Sequence, residues 1–213
     1  MLSSVFIGVH PRAFPIYSLL TMQPDLQAAK TALRKQIRAR LDNISPAVRL
    51  AESLDLCRRL EPQLQCAHTI LFYAPLPDEL DVWLLLEKLL PAKKTCALPA
   101  FDSGTQSYSA RRVTNLETDI FTGKFGVSEP LSSCVEIPLN RFDLVLVPGT
   151  AFDWNGHRLG RGKGYYDRIL PATSGIKCGV AYDFQLLEKI PAEAHDARVD
   201  FMVTPARAVK TVK

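Results

Sequence analysis

Residues 143–170 read DLVLVPGTAFDWNGHRLGRGKGYYDRIL, and the first seven of them decide the fold. Leu144, Val145, Leu146 and Val147 make a nearly unbroken apolar run closed by Pro148-Gly149. A strand with one wet face alternates; a run like this is covered on both faces, as in a parallel sheet between two helical layers. Working outward, helix-like and strand-like pieces alternate. Residues 25–42 place Leu26, Leu33, Ile37 and Leu41 on one stripe. Ser45 as cap and Pro46 as first residue start a second helix that runs to about Leu64. HTILFYAP (68–75) predicts a strand ending in a proline loop, and DELDVWLLLEKLL (78–90) a helix with acids in its first turn, where the macrodipole favours them. KTCALPA (94–100) and SYSARRV (107–113) read as strands, and 114–142 as loop-rich. Beyond the quoted stretch come a strand over 176–182, a short helix over 184–190 and a strand over 200–205. This order predicts an α/β chain with a mostly parallel sheet. Ligands then sit beyond the carboxyl ends of the strands, which gathers the loops after Tyr73, Val147 and Tyr182.

Composition narrows the function classes. The chain has 213 residues, 47% hydrophobic and 23% charged, so it is long enough for a large core and is neither disordered nor fibrous. The net charge of +4 admits an anionic small ligand without the dense basic clustering of nucleic-acid binders. Five cysteines, an odd number with no Cys-x-x-Cys pair, argue against a disulfide framework or a zinc site and suit reduced thiols in a cytoplasmic protein. No apolar run is long enough to span a membrane. Residues 1–21 carry Arg12 as their one charged side chain and lack the marks of a secretory or mitochondrial leader. They are expected to be an extension, with Met22 starting a single domain over 22–213; the rival reading is a weak organelle-targeting segment.

The second half of the quoted stretch carries the chemistry. Gly160, Gly162 and Gly164 alternate with Arg161 and Lys163, and a helix is expected from Tyr165. Glycines let backbone amides approach a ligand closely, and the interleaved cations supply charge. With Arg158, the segment is a candidate phosphate cradle delivering its ligand to a helix N-terminus. It is neither a Walker A loop nor a dinucleotide fingerprint. Lys30, Arg34 and Arg38 recur at i, i+4 and are expected on one helix face, away from Leu33, Ile37 and Leu41. Spacing alone leaves them equally readable as a solvated basic face, the preferred reading for Lys35, Arg38 and Arg40.

The segment closely resembles the signature of the 5-formyltetrahydrofolate cyclo-ligase (methenyltetrahydrofolate synthetase) family. Pro148, Gly149, Phe152, Asp153, Gly156, Arg158, Leu159 and Gly160 through Asp167 match its pattern. So do Lys30, Leu33 and Arg34, Asp78-Glu79, Phe125-Gly126 with Glu129-Pro130, and His195-Asp196 with Val199-Asp200, so the likeness covers about 28–205. The resemblance implies a three-layer α/β/α sandwich of the NagB/RpiA/CoA-transferase type. It implies ATP-dependent closure of 5-formyltetrahydrofolate to 5,10-methenyltetrahydrofolate through a phosphorylated formyl group, with ATP as co-substrate and Mg2+ as cofactor. Carried onto this chain, it puts ATP on Lys30, Arg34, Arg158, Gly160, Arg161, Gly162, Lys163, Gly164, Tyr165 and Tyr166. The folate falls to Ala74, Glu79, Phe125, Arg161 and Tyr165, the chemistry to Arg161, Lys163 and Tyr166, and the magnesium to Asp167 and Asp200. Without the resemblance, Glu79 reads as an ordinary helix-start acid. His195 is expected to be structural and Asp196 a cap or turn residue. The implied partners are reduced folate and ATP alone, for a monomer. The alternatives are a sugar-phosphate or coenzyme A enzyme of the same fold and a non-catalytic nucleotide-binding paralogue, for example one tied to thiamine metabolism.

Overall fold

Helices and strands follow one another much as the patterning predicts. The computed structural model describes residues 25–102, 104–105, 107–123, 126–193 and 196–212, so the expected extension over 1–21, Phe125 and His195 fall outside the described residues. Helices α1 (Leu26–Leu41) and α2 (Pro46–Cys66) lead into β1 (Thr69–Leu71), α3 (Trp83–Leu89), β2 (Thr95–Asp102) and β3 (Ser107–Arg112). Then come β4 (Ile120–Thr122), β5 (Ser128–Pro130), β6 (Glu136–Ile137), β7 (Leu144–Pro148), β8 (Ala151–Asp153) and β9 (Arg158–Leu159). After α4 (Tyr165–Ile169) the chain forms β10 (Ile176–Val180), β11 (Leu186–Leu187), β12 (Phe201–Val203) and β13 (Ala208–Lys210). The Ser45 cap works as expected, its hydroxyl accepting the Val48 N–H, and the Asp25 carboxylate caps α1 by accepting the Gln27 N–H.

An eight-stranded sheet runs β13-β12-β10-β7-β1-β2-β3-β6. Its five central strands, β12, β10, β7, β1 and β2, are parallel, and antiparallel β13, β3 and β6 finish the edges. Strand β7 lies at the centre, and Leu144 through Val147 are all buried, so helices and loops cover both faces as the apolar run requires. All five cysteines are free, three of them buried. Among the described residues no helix is long and apolar enough to cross a membrane.

Three expectations need correction. The helix over 78–90 begins only at Trp83, because the Ser53 hydroxyl accepts the Asp81 N–H at 2.9 Å and the Asp81 carboxylate accepts the Trp83 N–H at 2.9 Å. The acids at 78–81 therefore sit in a loop. The helix over 184–190 is absent: residues 183–185 form one 3-10 turn and β11 follows, drawn into parallel pairing with β8. The stretch after β7 is also not a plain loop. It folds into the β8–β9 hairpin of a second sheet, ordered β11-β8-β9.

That hairpin turns at Gly156, which sits at φ +80°; an added Cβ would lie 2.4 Å from the Val199 carbonyl oxygen. Gly156→Ala is expected to destabilise the chain by about 1–3 kcal/mol, through left-handed strain plus the clash. Urea unfolding should show a lower midpoint at an unchanged slope. An unchanged midpoint would mean that the turn relaxes freely.

Candidate active site

The carboxyl edge of the parallel strands brings together the three loops that the sequence singled out. Gln185, after β10, donates from Nε2 to the Gly149 and Thr150 carbonyls after β7, at 3.1 and 3.0 Å. The loop after β1 reaches the glycine loop through Arg161. Its Nε donates to Glu79 at 3.1 Å and its Nη2 to Asp78 at 2.6 Å. The acid loop is itself fixed from below. Arg49 on α2 donates to the Glu79 and Leu76 carbonyls, the Tyr73 hydroxyl donates to the Leu80 carbonyl, and the second Glu79 oxygen accepts the Leu76 N–H at 3.0 Å. Burial pushes the Glu79 carboxyl above the usual glutamate range, against the pull of the Arg161 guanidinium. Glu79 is thus no helix-start acid: it is a desolvated carboxylate aimed across the site. Ala74 is half-buried at the start of the same loop.

In the glycine loop, Gly162 and Gly164 take φ +88° and +66°, values that side chains resist, and Gly164 turns directly into α4. Helix α4 has five residues, so its dipole contributes little and the positive charge at the loop comes from its cations. Arg161 and Lys163 are exposed on the loop. Arg158 is not. At 7% exposure it lies beneath the loop, with Nη2 on Asp167 at 2.6 Å, Nη1 on the Pro148 carbonyl at 3.4 Å and its guanidinium over the Tyr166 ring. Its place in the phosphate cradle is corrected to that of a buried support whose charge is met by Asp167. Its Nε–H is buried without a partner.

Helix α1 meets this loop at Arg34, whose Nε donates to the Gly160 carbonyl at 2.9 Å. Arg34, Arg38, Asp78, Gly149, Thr150 and Arg161 are among the residues lining a cleft of about 100 Å3. Arg38, expected to be a solvated cation, therefore joins the site. Lys30 departs from expectation in the other direction. It is 6% exposed, and its ammonium bonds Glu193 at 2.8 Å and Asp196 at 3.0 Å. Burial alone would lower its pKa; the two carboxylates outweigh burial and raise it. The expected face was misassigned. Lys30 lies two helical turns before Ile37, so the two share a face rather than opposing each other.

Asp167 and Asp200 do not come together. Asp200 precedes β12, and its carboxylate accepts the Lys177 N–H at 2.9 Å. Lys177 is in register with Val145, three residues below Pro148, so Asp200 sits about 10 Å toward the amino edge from the level of Arg158 and Asp167. Its metal assignment is corrected for that reason. Asp196, ranked below it in the sequence, is the acid that reaches α1. Among the described residues no three His, Cys, Asp or Glu converge as a metal site.

An aromatic row borders the glycine loop: Phe101 to Tyr108 at 4.9 Å, Tyr108 to Tyr165 at 4.2 Å and Tyr165 to Tyr166 at 5.8 Å between ring centres. Burial raises the hydroxyl pKa of both Tyr165 and Tyr166, so both are neutral donors at pH 7. Asp78, Tyr108 and Arg38 are the site residues to which sequence reasoning gave no role. Asp78 stood beside Glu79 in the family-like pair, Arg38 recurred at i, i+4 after Arg34, and nothing marked Tyr108.

Residues 26–205 match the 5-formyltetrahydrofolate cyclo-ligase family. The chain belongs to that family. Among relatives named 5-formyltetrahydrofolate cyclo-ligase, the Escherichia coli K12 protein is 33% identical over 154 residues, 68% of this chain and 82% of its own. The mouse protein is 28% identical over 188 residues, 82% and 93% of the two chains. The NMR structure of Aquifex aeolicus 5,10-methenyltetrahydrofolate synthetase superposes with a TM-score of 0.78 at 33% identity, over 86% of this chain and 93% of that one. The Mycoplasma pneumoniae 5,10-methenyltetrahydrofolate synthetase gives 0.65 at 26% identity, over 83% and 98%. The three-layer α/β/α expectation thus agrees with solved cyclo-ligase-family folds. This member presents its acid loop, glycine loop and α1 within a single chain.

Proposed function

We propose that the chain converts 5-formyltetrahydrofolate to 5,10-methenyltetrahydrofolate with ATP as co-substrate, releasing ADP and phosphate. The observation that carries this reading is the Arg161 bridge from the glycine loop to Glu79, which sets a phosphate-binding cation against a buried carboxylate suited to an amino-pyrimidine edge.

The reaction needs a leaving group. The formyl oxygen on N5 attacks the γ-phosphorus, the bond to ADP breaks, and the formyl carbon becomes strongly electrophilic. N10 then attacks that carbon and loses its proton, and the carbon–oxygen bond breaks to release phosphate and close the five-membered ring. Positioning and charge neutralisation are the protein's task in phosphoryl transfer. Glu79, with Ala74 beside it, holds the pterin; Phe125 is assigned to the folate with them. Tyr165 and Tyr108 offer a flat aromatic surface to the ligand. Arg34, Arg161 and Lys163 take the phosphates with the amides of Gly160, Gly162 and Gly164, while Lys30, buried between Glu193 and Asp196, holds α1 in place. Arg161 and Lys163 offset charge on the transferring group, and Tyr166 donates toward it.

The residues present fit magnesium only in part. Asp167, at the carboxyl edge, suits a site completed by phosphate oxygens and water, whereas Asp200 does not reach it. When bound with ATP, the ion would supply charge neutralisation on the β- and γ-phosphates. Because the acid loop, the glycine loop and α1 all come from one chain, a monomer acting on two small molecules suffices. ATP, reduced folate and free thiols support a cytoplasmic setting.

The test is the growth of methenyl-folate absorbance from 5-formyltetrahydrofolate in the presence of ATP and Mg2+. Turnover should require both. Asp167→Asn should raise the Mg2+ needed for half-maximal rate by about tenfold, and Asp200→Asn should leave it unchanged. ATP binding without turnover would favour the non-catalytic paralogue; no ATP binding would remove the reading altogether.

A further inference from the structure

The aromatic row leaves the acid loop and ends beside a cation. Tyr166 stands at the Glu79 end: burial, then the neighbouring Tyr165 and Glu79, push its hydroxyl pKa up. Tyr165 follows at 5.8 Å, Tyr108 at 4.2 Å from Tyr165, and Phe101 at 4.9 Å from Tyr108. Phe101 and Tyr108 are register partners near the carboxyl end of β2, so the row stays on the ligand edge of the sheet. Arg168 comes three residues after Tyr165, on the same side of α4. Its guanidinium sits over the Tyr108 ring, 5.7 Å from the ring centre. Arg168 is exposed, and among the described residues its neighbour is that ring rather than a carboxylate. The adjacent acid, Asp167, is taken by Arg158. The Phe101 end carries the opposite charge. The Glu129 carboxylate accepts the Phe101 N–H at 3.3 Å, and Asp102 follows, exposed.

We propose that Arg168 is a specificity-determining residue: it takes a carboxylate at the glutamate end of the folate, with Tyr108 beside the p-aminobenzoyl ring. The inference rests on the cyclo-ligase reading above, with the pterin at Glu79. A reduced folate carries a hydrogen-bonding pterin at one end, a flat ring in the middle and a glutamate with two carboxylates at the other end. The row offers the matching chemistry in the same order: a carboxylate, aromatic rings, then a guanidinium. Arg suits the last place, because its planar fork meets a carboxylate with two parallel hydrogen bonds. A guanidinium resting on a ring also keeps its in-plane N–H groups for a second partner. Glu129 and Asp102 repel the same carboxylates, so charge turns the glutamate away from Phe101 and toward Arg168. The contact lies at the opposite end of the substrate from the formyl group, so it acts on binding and not on the chemical step.

Steady-state kinetics on the whole protein compares 5-formyltetrahydrofolate with 5-formyltetrahydropteroate, which keeps the pterin and the ring but lacks the glutamate. Wild type should show a KM about fivefold lower for the folate than for the pteroate. Arg168→Gln, which keeps a long side chain on Tyr108, should raise the folate KM to about the pteroate value. Its kcat, its pteroate KM and its KM for ATP should stay within about twofold of wild type. Arg168→Lys, which keeps the charge without the fork, should fall between the two. An equal rise in KM for both substrates would mean that Arg168 only supports the aromatic row. An unchanged folate KM would place the glutamate elsewhere. Either result overturns the proposal while turnover, and with it the cyclo-ligase reading, stands. If wild type turns over neither substrate at saturating ATP and Mg2+, that reading falls and takes the proposal with it.

Discussion

Arg161→Ala is expected to lower kcat/KM by about 10²-fold or more while leaving the fold intact. The side chain lies on an exposed loop and contributes no core packing, so the fold should hold, with a thermal midpoint lowered only by leaving Glu79 without its counterion. Its loss acts on both halves of the site. A preorganised cation aimed at developing phosphoryl charge is worth about 10²–10³ in rate. The same guanidinium bonds Asp78 and Glu79, so its removal strands two acids at the folate edge. Without it, the Glu79 carboxyl loses its main counterion and titrates still higher. Arg161→Lys should recover little, because a single ammonium cannot reproduce the forked contact with both acids. Steady-state kinetics in both substrates reads the result. Turnover within twofold of wild type would remove Arg161 from the chemistry.

Glu79→Gln is the second large effect, with opposite signs for activity and stability. The KM for 5-formyltetrahydrofolate should rise by about tenfold or more, since an amide cannot accept both hydrogen bonds of an amino-pyrimidine edge, while ATP affinity stays near wild type. Stability should be unchanged or improved at pH 7. Burial raises the Glu79 pKa above its unfolded value, so the native state holds its proton more tightly. That contribution is fully present below the unfolded pKa and is lost as pH rises through the folded one. At neutral pH the ionised carboxylate therefore costs stability, and a neutral isostere removes the cost. Asp78 remains to pair Arg161. Melting curves from pH 4 to 8 should show a flatter pH dependence for the variant than for wild type. A KM left at the wild-type value would take the pterin away from Glu79.

Local pattern carried the elements whose signals were strong and continuous. The Leu144–Val147 run and the Ser45-Pro46 start both agree with the structure, because burial on both faces and capping are dictated by neighbours in sequence. Patterning failed where a distant group competed. Ser53 on α2 took the Asp81 N–H and delayed α3, and β8 recruited residues 186–187 into a strand that a short apolar segment could not announce. Glycine spacing and the match to the cyclo-ligase signature marked Arg161, Lys163 and Glu79, yet not which charges meet. Arg158 and Arg161 look equivalent in sequence. One is buried on Asp167 and the other reaches across to Asp78 and Glu79.

The sequence by itself determined that an apolar parallel strand ends at a glycine- and cation-rich loop, and so that the place expected for an anionic ligand is the carboxyl edge of the sheet. Only the tertiary structure decided which cations face that ligand and which are neutralised. It seated Lys30 between Glu193 and Asp196, put Arg38 on the cleft and placed Asp200 toward the amino edge. The physical reason is that helix and strand periods fix a residue's face only relative to its own element, whereas ion pairing and desolvation depend on residues brought close from far along the chain.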